Sequence, residues 1–108
     1  LIETKEKLYE VNVALDAKNF EGAMTAAKQV MKDHPSLIGK CERIIGECLL
    51  EVKEYKKALS LFNKTLKDRK MPWALFGKAK TYFYMGDLEN AEKNLRQLML
   101  DNRFFVRA

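Results

Sequence analysis

The sequence has few of the residues from which catalytic and metal sites are commonly built. It contains one histidine, two cysteines and five glycines, and the glycines are scattered along the chain. One histidine and two cysteines are too few ligands for a zinc site, and scattered glycines do not form a phosphate-binding loop. The serine motifs and paired carboxylates of hydrolases are also missing. The sequence therefore predicts a protein that is not an enzyme and that needs neither a cofactor nor a metal.

Long apolar runs are absent as well. No run approaches the roughly 18 residues of a membrane span, and the short apolar run of a signal peptide is missing. Cys41 and Cys48 are seven residues apart, which on a helix separates them by about 10 Å along the axis, too far for a disulfide between them. We therefore expect a soluble, cytoplasmic protein with reduced core cysteines. Because the chain begins at Leu1 without a methionine, we also expect it to be a piece of a longer protein.

The sequence does contain a repeated pattern with a period near 34 residues. Three segments align: DAKNFEGA at 16–23, EVKEYKKA at 51–58 and YMGDLENA at 84–91. A small residue where two helices cross lets their backbones approach, and a large residue fills the space beside it. The pattern therefore predicts a packing unit. Its small residues are Ala23, Ala58 and Ala91, and a large apolar residue stands three positions before each of them: Phe20, Tyr55 and Leu88.

Each repeat is predicted to be two helices joined by a short turn. Asn19 and Asp87 are predicted N-caps because their side chains can accept a hydrogen bond from the first turn of a helix. Gly86 is predicted to end the helix before Asp87. Pro72 suits the first turn of a helix, and Ser36, which follows a proline, is predicted to cap the helix after it.

Six helices with short loops and this period resemble the tetratricopeptide repeat (TPR) family. The best-matching positions are Gly46, Ala79, Tyr82 and Gly86, together with the three repeat alanines. The resemblance implies an all-α fold, a right-handed superhelix of three antiparallel helix pairs. It also implies one domain over residues 1–108, with repeats at about 4–38, 39–71 and 72–105. Lys18 and Lys53 depart from the glycine that the family usually has in the turn.

The same resemblance implies a module for protein–protein interaction, in which the first helix of each pair lines a concave groove for a peptide or a partner helix. Carrying the family's groove positions onto this sequence gives Arg43 and Glu47 as residues that set the polarity of the groove. In the third repeat it gives an aromatic anchor surface with one lysine: Trp73, Phe76, Lys80, Phe83 and Tyr84. The alternative is that this aromatic face is covered within the protein itself.

A narrower resemblance concerns residues 68–105, which are similar to the TPR portion that follows the receiver domain of some bacterial response regulators. It implies a role in two-component signal transduction. Confirmation would come from a strand–helix alternation with clustered aspartates upstream of residue 1.

Two further functions stay open as alternatives. The helix predicted at 55–70 is rich in basic residues and could bind nucleic acid, although a solvated outer face explains the same lysines. Phe104 and Phe105 could instead support self-assembly, for example as a homodimer. A protein or peptide partner is the prediction that we favour over nucleic acid, and no membrane partner is expected. The basic residues of the first alternative are Lys56, Lys57, Lys64, Lys67 and Arg69.

Overall fold

The computed structural model describes residues 2–68 and 71–101. These residues form six α-helices and one short 3-10 turn, at Pro35–Leu37, and contain no β-strand. The predicted all-α, TPR-like helical repeat fold is therefore confirmed. The helices are α1 (Ile2–Asp16), α2 (Phe20–Asp33), α3 (Ile38–Glu51), α4 (Tyr55–Asp68), α5 (Pro72–Tyr84) and α6 (Leu88–Asp101).

The helices form two compact units, Leu1–Glu54 and Tyr55–Ala108. In the first unit α2 packs against both α1 and α3, and in the second unit α5 packs against both α4 and α6. Each unit is thus built on its middle helix, which shares an interface with the helix before it and the helix after it. The organisation of residues 1–108 as one domain of three repeats stays a prediction.

Three turns of the same geometry follow α1, α3 and α5. Lys18, Lys53 and Gly86 each adopt a positive φ, of 58°, 63° and 85°. In each turn this residue donates its N–H to the carbonyl three positions earlier, and the next residue donates to the carbonyl five positions earlier. This pair of bonds is the Schellman ending of a helix. The turn that the aligned segments predict is therefore present at all three places.

The next residue in two of these turns also caps the following helix, as predicted. The side-chain oxygen of Asn19 accepts a hydrogen bond from the N–H of Gly22 at 3.0 Å. That of Asp87 accepts from the N–H of Asn90 at 3.2 Å. The prediction that Ser36 caps α3 is wrong. Ser36 lies inside the 3-10 turn, which begins at a proline with its φ already fixed, and α3 starts two residues later without a side-chain cap.

The core of both units contains several small residues. The repeat alanines Ala23, Ala58 and Ala91 are all buried, which confirms that these positions serve packing. Beside them the first unit buries Val11, Ala27, Val30 and Cys41, and the second buries Phe62, Ala74 and Ala79.

The large residue three positions before each repeat alanine is not buried to the same extent in the three repeats. Phe20 and Tyr55 are half-buried, but Leu88 is exposed. Among the described helices of the second unit, α6 packs against α5 alone, so the side of α6 that carries Ala91 is covered and Leu88 is left exposed. The prediction that Leu88 fills space beside Ala91 is therefore wrong.

Candidate partner-binding site

One face of α5 carries all five residues that the sequence predicts for the anchor surface. Their positions follow the spacing i, i+3, i+7, i+10 and i+11, which keeps them on one side of a helix. The helix begins with Pro72 at its first position, where a missing N–H costs nothing. It ends at the turn through Gly86. The five residues, which we call the α5 face, are Trp73, Phe76, Lys80, Phe83 and Tyr84.

The side of α5 that adjoins the α5 face is packed into the second unit. Ala74, Gly77 and Thr81 are buried there, and the Thr81 hydroxyl donates a hydrogen bond to the carbonyl of Gly77 at 2.7 Å. An added Cβ on Gly77 would lie 2.5 Å from the ring of Phe62. The absence of a side chain at Gly77 therefore lets the Phe62 ring of α4 lie directly against the backbone of α5.

Trp73 belongs partly to this packing. Its ring meets the Phe62 ring edge to face, with 6.3 Å between the ring centroids, and its side chain is half-buried. One end of the α5 face is therefore fixed to α4, while the rest of the Trp73 side chain stays open to solvent.

The other three aromatic residues are exposed to solvent. Phe76 is 46% exposed, Phe83 61% and Tyr84 53%. The Phe83 and Tyr84 rings contact each other at 5.9 Å, and Tyr84 also stacks on Tyr55 of α4 at 6.0 Å. These ring contacts restrict the Phe83 and Tyr84 side chains before any ligand arrives, and this lowers the entropy that binding must remove.

Lys80 gives the α5 face its charge. Its ammonium nitrogen lies 5.1 Å from the centroid of the Phe76 ring, which is within the range of a cation–π contact. The helix contains a second lysine, Lys78, and no acidic residue from Pro72 to Tyr84. The α5 face is therefore both aromatic and cationic.

The two remaining predicted residues, Arg43 and Glu47, belong to the first unit. They lie one turn apart on α3, and both side chains are exposed. Their role in partner binding stays a prediction.

Tyr55 is a contributor to the aromatic surface that the sequence does not reveal. The repeat pattern assigns Tyr55 to packing, and it is indeed half-buried, yet its ring also supports Tyr84. The positions alone could not show this, because the contact joins the first residue of α4 to the last residue of α5.

The groups that catalysis would require are not gathered in the described part of the chain. No set of three or more His, Cys, Asp or Glu side chains there could hold a metal ion. Cys41 and Cys48 are free and buried. Burial raises the pKa of both thiols; the charge of Lys40 opposes this at Cys41, and Glu47 and Glu51 add to it at Cys48. A raised pKa disfavours the reactive thiolate.

The residues behind the two alternative functions are described only in part. Lys56, Lys57, Lys64 and Lys67 are exposed on α4, whereas Arg69 lies outside the described residues. Phe104 and Phe105 also lie outside them. Nucleic-acid binding and self-assembly through these residues both stay predictions. In the described part of the chain, no helix has the length and apolar character that crossing a bilayer requires.

Comparison with known families gives one match. Residues 73–101 match the model of a tetratricopeptide repeat, and this range covers α5 almost from its first residue and α6 to its last. Comparison with curated proteins and with solved structures returned no match. Repeats of this family are generally non-catalytic, and the matched helix pair indicates a protein–protein interaction module.

Proposed function

We propose that this protein binds a segment of another protein, a peptide or a helix, on the α5 face. The observation that supports the proposal is the exposure of Phe76, Phe83 and Tyr84 on the helix that also forms the centre of the second unit. Exposed aromatic residues that are grouped on one face mark interaction sites more often than single exposed residues do. Aromatic side chains are also enriched among the residues that contribute most to binding.

The packed side of α5 adds a second argument. Ala74, Leu75, Gly77, Ala79 and Thr81 are already buried, so the second unit does not need the three exposed rings for its core. Binding an apolar side chain of a partner would remove these rings from water, which stabilises the complex in proportion to the apolar area buried.

Two-component signalling remains a prediction from the narrower resemblance of residues 68–105. The α5 face itself suits a protein partner that presents an apolar segment, and its chemistry does not depend on the signal that precedes binding.

The proposal is tested with peptides selected from a random library against the whole chain. Binding is followed by the fluorescence of Trp73, the single tryptophan, which lies on the same face. We expect the double variant Phe76→Ala/Phe83→Ala to raise the Kd at least about tenfold, equivalent to roughly 1.4 kcal/mol. Circular dichroism establishes that the variant keeps its helices.

The matched control is Tyr9→Ala/Val13→Ala, which also removes two exposed apolar side chains, but from α1 in the first unit. We expect this control to bind as the unchanged protein does. Selected peptides whose affinity is the same for the unchanged protein and for the folded α5 variant would refute the proposal.

A further inference from the structure

A second exposed apolar surface lies on α6, apart from the α5 face. Leu88, Leu95 and Met99 are 61%, 39% and 56% exposed. They follow the spacing i, i+7 and i+11, so they form one row along the helix. The row is about 16 Å long, at 1.5 Å per residue. We call it the α6 row.

The α6 row is distinct from the side of α6 that packs within the second unit. Ala91 is buried and Leu98 half-buried, and they lie roughly 60–80° around the helix from the row, at 100° per residue. The packing of α6 against α5 therefore uses one side of the helix and leaves a second apolar side open to solvent.

Two residues of opposite charge border the α6 row, one in each half of the helix. Glu92 lies in the N-terminal half and Arg96 in the C-terminal half. Glu92 and Arg96 border the same edge of the row and pair with each other. Both of their side chains are well exposed to solvent, so they are accessible to a second molecule.

We propose that the α6 row pairs with the α6 row of a second copy of this chain, with the two helices antiparallel. In a two-fold symmetric interface the same patch meets itself, so the patch must be complementary to itself. Antiparallel pairing satisfies this condition for charge, because it brings Glu92 of one copy opposite Arg96 of the other. A parallel pair would place like charges together.

The register follows from the positions of these side chains. With the two-fold axis at the level of Asn94, Glu92 of one copy lies level with Arg96 of the other. Leu88 then lies within about 1.5 Å, along the axis, of the level of Met99 in the second copy, and the two Leu95 side chains lie about 3 Å apart along the axis. One register therefore pairs apolar with apolar residues and acid with base.

The dimer is expected to be weak. One row on one helix buries less area than the roughly 1,600 Å² of a standard stable interface. Sedimentation velocity over roughly 10 µM to 1 mM covers the corresponding range of Kd. We expect the weight-average sedimentation coefficient of the unchanged protein to rise with concentration.

Charge exchange distinguishes this pairing from other associations. Glu92→Arg and Arg96→Glu each place like charges opposite one another twice in the symmetric dimer, so each variant alone is expected to raise the Kd about tenfold. In an equimolar mixture, the two variants pair arginine with glutamate at both places. The mixture should therefore dimerise to within about threefold of the unchanged protein. This recovery also shows that both variants are folded.

The central contact supplies a second measurement. Leu95→Cys should give a disulfide-linked dimer under mild oxidation, whereas Cys41 and Cys48 are buried and should not form one. The control Ser60→Cys, exposed on α4, should remain unlinked at the same concentration.

A protein that is monomeric across the whole concentration range would overturn the proposal, whether the α6 row is then covered by residues 102–108, by another protein or not at all. Association without recovery in the mixed variants would overturn the antiparallel register and with it the proposal.

Discussion

Lys18 and Lys53 occupy a backbone conformation that ordinarily favours glycine. A positive φ brings the Cβ of an L-residue close to the backbone, which costs roughly 1–2 kcal/mol. Gly86 takes the same position in the third turn without this cost. The hydrogen bonds on both sides of each turn hold the lysines in place. These turns therefore form despite the identity of their central residue, and two of the three store strain.

We predict that Lys18→Gly and Lys53→Gly each raise the free energy of unfolding by about 0.5–1 kcal/mol. Relief of the strain is offset in part by the larger backbone entropy of glycine in the unfolded chain. The reverse change, Gly86→Lys, should lower it by a similar amount. Urea denaturation measures all three variants.

The matched control is Lys64→Gly, at an exposed position inside α4, where glycine should lower the free energy of unfolding by about 1 kcal/mol. If Lys18→Gly and Lys53→Gly destabilised the protein as the control does, strain at the two turns would not be their dominant feature.

At the scale of helices, the contact between α4 and α5 depends on the absence of a side chain at Gly77. Phe62 is almost fully buried and its ring lies where the Cβ of any other residue at position 77 would be. A ring has no flexible end that could move aside, so α4 itself would have to shift. The interface is therefore specified by the pair Gly77 and Phe62 together.

We predict that Gly77→Ala lowers the free energy of unfolding by about 1–2 kcal/mol. Overpacking of a core lowers stability by about 1–3 kcal/mol. The better helix propensity of alanine offsets up to about 1 kcal/mol of this loss. Phe62→Leu alone should also destabilise, because it leaves a cavity.

The double variant Gly77→Ala/Phe62→Leu should lose less stability than the sum of the two single changes, since the smaller side chain gives room to the new methyl group. Losses that simply add would show that the two positions are independent.

The sequence predicts the helices and their turns well, but it predicts the contacts between helices less well. The turns, the caps at Asn19 and Asp87 and the buried repeat alanines all follow from local rules, which need no knowledge of neighbouring helices. The predictions for Ser36 and Leu88 are wrong because the environment of each residue depends on more than the local sequence pattern. A proline opens a 3-10 turn around Ser36, and among the described helices α6 packs against α5 alone.

The candidate site shows the same division. The period of the helix predicts that Phe76, Lys80 and Phe83 share one face. It does not predict how much of each ring is buried, since that depends on α4, which supplies Phe62 beneath Trp73 and Tyr55 beside Tyr84.

For the whole molecule, the buried thiols couple stability to alkaline pH. Burial raises the pKa of Cys41 and Cys48 in the folded protein, while in the unfolded chain a thiol ionises near pH 8.5. Above that pH the unfolded state loses protons that the folded state keeps. Their contribution to stability is therefore complete below about pH 8.5 and is lost as the pH rises through the folded pKa.

We predict that the free energy of unfolding falls as the pH rises above about 8.5, by up to about 1.4 kcal/mol per pH unit for each thiol, until the folded pKa is reached. The variant Cys41→Ala/Cys48→Ala, although less stable at neutral pH, should show a shallower decline. Urea denaturation at a series of pH values measures both slopes. Equal slopes in the two proteins would mean that other groups cause the decline.

The position of Lys80 over the Phe76 ring affects which molecules can bind to the α5 face. The face of an aromatic ring attracts cations, and an open face would also receive arginine, trimethyllysine or choline. Here the protein's own ammonium group already stands over that face, and a second cation would have to displace it or approach it against like charge. We therefore predict that the α5 face binds neutral and acidic segments more tightly than basic ones.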